Sequence, residues 1–110
     1  MNAKDFAEKL NLDILVKNEN ELNIEGVYIG DLLSIVMSKA KKNYTWITIQ
    51  THMNIMAVAE LLDLSCIIVV EDMEVEEDAL IKADELNITV FKTKESAYEV
   101  ACKLCKLGIK

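Results

Sequence analysis

The stretch Trp46–Val70, WITIQTHMNIMAVAELLDLSCIIVV, constrains the fold more than any other part of the chain. Thr45–Gln50 is rich in β-branched residues and reads as a strand, and Thr51–Asn54 reads as a polar turn. Ile55–Leu64 reads as a helix, and Cys66–Val70 as a second strand, wholly apolar. Two buried strands joined through one helix make a right-handed crossover in a parallel sheet. Ligands of such sheets gather at the carboxyl ends of the strands, which is where Gln50–Asn54 falls.

The flanking sequence extends the same alternation. Ala3–Leu10 carries Phe6, Ala7 and Leu10 at helical spacing, and Asp13–Val16 is a short strand. Ile24–Ile29 reads as a second short strand bent at Gly26. Asp31 is placed to cap a helix running to Lys41, with Leu32, Leu33, Val36, Met37 and Ala40 on its inner face. After an acidic run, Glu71–Asp78, come a helix at about Glu76–Leu86, a strand at Ile88–Phe91 and a last helix, Ser96–Leu107. Ser96 with Glu99 has the spacing of a capping box, and Gly108 suits the helix end. The expected fold is α/β: a three-layer α/β/α domain over residues 1–110 with a mainly parallel sheet.

Composition removes several classes of function. The formal charge is −7, and every one of the 12 basic residues is lysine. Without arginine, an acidic chain is poorly suited to nucleic acid or to an anionic membrane surface. No apolar stretch reaches the length of a membrane span, and the charged, amphipathic start MNAKDFAEKL reads as a folded helix, not a signal peptide. Three cysteines, an odd number, point to free thiols in a reducing, cytoplasmic setting.

Each candidate constellation has a functional and a structural reading. In the turn, Gln50, Thr51, His52 and Asn54 could hold a small phosphate-bearing ligand against helix-terminal amides. The structural reading makes Thr51 or Asn54 a helix cap and leaves His52 exposed. His52 is the only histidine and has no evident nucleophile or second metal ligand, which favours the cap. In Ile55–Leu64 only Glu60 and Asp63 are polar, so this helix is either deeply buried or covered by a partner; Met56, Leu61 and Leu64 are its candidate interface residues. Cys102 and Cys105 have Cys-x-x-Cys spacing, but no second pair completes a zinc site, and they fall in the last turns of a helix, where a thiolate is not stabilised. They read as buried packing residues. The acidic run lacks calcium-loop spacing. There is no Walker A loop, no Gly-x-Ser-x-Gly elbow and no Ser-His-Asp set, so no catalytic residue, metal or cofactor is assigned.

Gly30–Asp31–Leu32–Leu33, the strand end Ile49–Gln50–Thr51, the helix Ile55–Leu64 and the region Thr93–Leu107 together resemble the DRTGG domain family, over roughly Gly26 to Gly108. This family looks like the N-terminal domain of the HPr kinase/phosphorylases and also occurs as an accessory module of some phosphotransacetylases and of pyrophosphatases regulated by CBS domains. The resemblance implies a regulatory, self-associating module, expected as a homodimer, with ligand sensing or another protein partner as further roles. The kinase activity of the best-known relative belongs to a separate P-loop domain. The namesake motif is altered here. Thr51-His52-Met53-Asn54 stands where the family tends to carry Asp-Arg, and Val70-Glu71-Asp72 where it tends to carry Thr-Gly-Gly.

Overall fold

The computed structural model describes residues 1–110 as ten elements. They are α1 (Ala3–Leu10), β1 (Asp13–Val16), β2 (Gly26–Ile29), α2 (Leu33–Lys39), β3 (Tyr44–Thr48), α3 (Asn54–Leu62), β4 (Cys66–Val69), α4 (Glu77–Glu85), β5 (Val90–Lys92) and α5 (Ala97–Lys106). The strands form one sheet in the order β1-β5-β4-β3-β2. β2, β3, β4 and β5 are parallel, and β1 pairs antiparallel with β5 through a register shift between Ile14 and Val16. The α/β class and the mainly parallel sheet expected from the sequence are therefore present.

The parallel strands step across the sheet in chain order. Each crossover is right-handed by the usual rule, so α2, α3 and α4 all fall on one face. Their Val36, Ala40, Ile55, Met56, Ala79 and Ala83 pack with Trp46, Ile67, Val69 and Val90. α1 and α5 cover the other face, where Phe6, Leu10, Val100 and Leu104 pack with Ile47, Cys66, Ile68 and Phe91. Adjacent strand residues such as Trp46 and Ile47 serve opposite cores, which is why the central strands are buried on both faces instead of alternating. Lys17–Glu25 carries the chain from one edge of the sheet to the other beneath the strands' amino ends. Asn18 holds it to the segment before β5, donating its backbone N–H to Thr89 Oγ1 at 3.1 Å and its side-chain amide to Asn87 O at 2.7 Å, while its Oδ1 accepts from Asn20 N at 2.8 Å. No helix is long and apolar enough to cross a membrane.

Several boundaries differ from the sequence reading; β3 ends at Thr48, not Gln50, and β5 is Val90–Lys92, not Ile88–Phe91. β2 begins at Gly26 instead of bending there, because the Tyr44 ring lies where a Cβ would sit, 2.5 Å away. α2 begins at Leu33, after an N-cap, Leu32, that has no side-chain cap bond. The Asp31 carboxylate turns away from that helix and accepts from Thr48 Oγ1 at 2.8 Å and Ile49 N at 2.9 Å. α3 stops at Leu62, where Asp63 takes the left-handed conformation, φ 56°, and closes the helix.

An aromatic pair helps to hold α1 on the sheet. Phe6 is fully buried, with its ring 5.3 Å from that of Phe91. Phe6→Ala is expected to lower the unfolding free energy by about 3–5 kcal/mol, through lost burial and the cavity left behind. Urea denaturation followed by circular dichroism measures this.

Candidate functional site

The carboxyl ends of β2 and β3 are tied together. Asp31 Oδ1 receives Thr48 Oγ1 and Ile49 N. The Gln50 amide donates to Asp31 O at 2.7 Å, and the Trp46 indole donates to Gly30 O at 2.8 Å. Gly30 N donates to Ile47 O at 3.1 Å, continuing the ladder. Gln50, expected in a ligand site, is thus spent on the protein's own backbone. Gly30 is glycine for a steric reason, since a Cβ there would lie 2.9 Å from the Tyr28 ring.

The turn to α3 is closed in the same way. His52 Nδ1 accepts from Asn54 N at 3.3 Å, and His52 O accepts from Ile55 N at 3.1 Å. Met56 N donates to Met53 O at 3.1 Å, and Thr51 O accepts from Glu76 N at 3.2 Å. The expected cap was Thr51 or Asn54; the N-cap is instead Met53, which makes no side-chain cap bond, and His52 Nδ1 accepts from the first amide of the helix. The first amides of α3, which a phosphate would need, already have acceptors within the chain. Gln50 and Thr51 are half-buried, and His52 and Asn54 are exposed, so the four candidate residues are neighbours that do not converge on a shared space.

A topological reason underlies the shallow surface. A crevice opens at strand carboxyl ends where successive crossovers leave in opposite directions. Here β2 to β5 step one way only, so no such point exists among the parallel strands. The largest hollow lies elsewhere, as an open groove of about 660 Å³ between β1 and α4 lined by Leu15, Val16, Leu80 and Ile81, with Glu77, Asp84, Glu85 and Lys17 around them.

Ion pairs occupy the remaining polar groups at this end of the sheet. Lys92 Nζ lies 3.5 Å from Asp72 and 3.6 Å from Glu74. Lys103 bridges Glu95, at 2.8 Å, and the Leu10 carbonyl at the end of α1, at 3.1 Å, so it joins α5 to α1. Sequence reasoning missed these partners of Lys92 and Lys103, since nothing local marks a lysine whose acceptor lies far along the chain.

The other candidates separate by exposure. Met56 is fully buried inside the subunit, so it cannot form an external contact; Leu61 is 69% exposed; Leu64, beyond the end of α3, is half-buried against the core. Cys105 is exposed and Cys102 half-buried, which corrects the expectation that both pack inside. The α5 face turned to the sheet is Val100 and Leu104, and Cys105 follows Leu104 around to solvent. Cys66 is the buried thiol. Burial pushes its pKa up to about 12, against a smaller opposing effect of the Thr45 hydroxyl 3.3 Å away. No three histidine, cysteine, aspartate or glutamate side chains lie together as a metal-binding group.

Glu71 and Asp72 form the turn that follows β4. Both have left-handed backbones, φ 61° and 55°, in a tight turn closed by Met73 N to Val70 O at 3.4 Å. Left-handed backbone at two successive positions is a geometry that favours glycine, and neither residue is one. Glu71 is exposed, so Glu71→Gly is expected to stabilise the fold by about 1 kcal/mol through relief of backbone strain, raising Tm by about 4 °C. A calorimetric melt of the variant against the parent checks it.

No protein-family model matches the sequence, and no curated protein matches it. Among solved structures, the fold is similar to the CBS and DRTGG domains of the regulatory region of Clostridium perfringens pyrophosphatase, determined with its activator diadenosine tetraphosphate. The TM-score is 0.80 at 16% identity, over 94% of this chain and 45% of that one, so the chain spans less than half of that region. The similarity establishes a DRTGG-like fold.

Proposed function

We propose that residues 1–110 form one non-catalytic, DRTGG-like regulatory unit that acts in the cytoplasm by self-association. The observation that carries this reading is the similarity of nearly the whole chain to part of a regulatory region. The chemistry at the strand ends is in keeping with it. His52 and Gln50 are engaged as structural ligands of their own backbone, and no nucleophile meets them. All three cysteines are free thiols, as a reducing compartment requires.

A second reading is a sensor for a small phosphate-bearing ligand or nucleotide. It is favoured by one observation, that the pyrophosphatase regulatory region was determined with diadenosine tetraphosphate. The internal pairing of Gln50 and of the first amides of α3 weighs against the turn 50–54 as the place for it.

Two measurements on the purified chain separate these readings. Light scattering across the micromolar range is expected to give the mass of a dimer, and a monomer throughout would overturn self-association. Thermal melts with ATP or diadenosine tetraphosphate are expected to show no shift. A ligand present at about 100 times its Kd would add about 2.7 kcal/mol, which a melt detects readily. A saturable shift lost on Gln50→Ala with Asn54→Ala would establish the sensor reading.

A further inference from the structure

The two edges of the sheet are built differently. β1 carries a register shift, begins at Asp13 and is followed by Lys17, the devices that keep an edge strand from pairing with another chain. β2, Gly-Val-Tyr-Ile, has no charge, no proline and no register shift against β3. Between Glu25 and Lys39 the only charged residue is Asp31, and its carboxylate is bonded to Thr48 and Ile49.

The hydrogen-bond parity of β2 fixes what this edge offers. Gly30 N donates inward to Ile47 O, and Tyr28 pairs with Trp46. In a parallel ladder alternate residues turn both backbone groups to the same neighbour, so Tyr28 and Gly30 face β3. Val27 and Ile29 therefore turn their N–H and C=O outward, where the sheet ends. Apolar side chains flank this edge on both faces. Ile29 is 48% and Ile49 43% exposed on the face of α1 and α5, and Leu32 is 61% and Ile35 45% exposed on the side of α2.

We infer that β2 is the self-association surface, pairing antiparallel with β2 of a second copy across a two-fold axis at Tyr28. This deepens the self-association reading and rests on it. In that register Val27 and Ile29 of one copy exchange backbone hydrogen bonds with Ile29 and Val27 of the other, so four outward groups on each copy are satisfied. The two five-stranded sheets become one continuous sheet.

Three features of the chain select a second copy as the occupant. The edge is self-complementary under a two-fold, since its outward residues sit symmetrically about Tyr28. Charge points the same way: two chains of net charge −7 repel, and they approach most easily where neither presents a free charge. Helix spacing completes the fit. A crossover helix lies over the two strands it joins, and strands are about 4.8 Å apart, so β2–β2 pairing sets the two α2 helices about 10 Å apart. That is the packing distance of helices, and Leu32 and Ile35, at the start of α2, are exposed apolar residues. The exposed Ile29, Leu32, Ile35 and Ile49 with the strand itself supply on the order of 500 Å² or more per copy, a large share of the roughly 800 Å² of a specific interface.

The test uses the intact chain. Wild-type protein is expected to be dimeric by light scattering, with the Val27 and Ile29 amides exchanging with deuterium at least about 100-fold more slowly at high than at low protein concentration. Ile29→Lys adds a charge at an already exposed position and is expected to raise the dimer Kd by about 100-fold or more. Leu61→Lys, on α3, should leave Kd unchanged. A wild-type monomer would overturn self-association and this surface together. A wild-type dimer whose Val27 and Ile29 amides exchange equally fast at both concentrations, or a dimer indifferent to Ile29→Lys, would overturn this surface alone. The exchange result decides the matter even where the lysine variant does not fold. Slow exchange of these amides only when an added foreign strand peptide is present would likewise overturn the assignment to a second copy.

Discussion

The Asp31 carboxylate is the contact on which the upper end of the sheet depends. It accepts from a side chain and a backbone amide just where β3 runs out of ladder partners. Bonds to an ionised acceptor are among the stronger ones in a folded chain, about 1.5–3 kcal/mol each. With this carboxylate in place, the Gln50 amide reaches Asp31 O and the Trp46 indole reaches Gly30 O. Trp46 is fully buried, so its N–H needs that carbonyl. One acidic side chain thus ties the end of β2 to the end of β3.

The tie has a functional cost at the ligand level and a gain at the level of assembly. Polar groups that elsewhere would line a crevice are used internally, and a one-way strand order gives them no crevice to line. The same one-way order leaves β2 at an open edge beside a helix that buries few residues, Val36 and Ala40.

Much of the fold is legible because periodicity is a local signal. Trp46–Thr48 and Cys66–Val69 are apolar on both faces, which already says that helices cover both sides of the sheet. The capping box at Ser96 and Glu99 is likewise local, and the structure contains it. What was not legible depends on choices among distant partners. Asp31 looks like a helix cap in sequence, and only the position of β3 shows that Thr48 and Ile49 compete for it and win. Neither Thr51 nor Asn54 caps α3, because the N-cap position falls on Met53 and the turn brings His52 Nδ1 to the Asn54 amide. In Ile55–Leu64 an almost wholly apolar helix gives no angular signal, so the sequence did not distinguish fully buried Met56 from exposed Leu61.

The account rests most on Asp31 being a structural ligand, and a double-mutant cycle between Asp31→Ala and Thr48→Val measures that directly. Denaturant unfolding of the parent, both single variants and the double variant gives the coupling. The expected result is a loss of about 2–3 kcal/mol for Asp31→Ala and a coupling of about 0.5–1.5 kcal/mol between the two sites. An Asp31→Ala variant as stable as the parent, with no coupling to Thr48, would contradict the account and return that carboxylate to the solvent as a group free to bind.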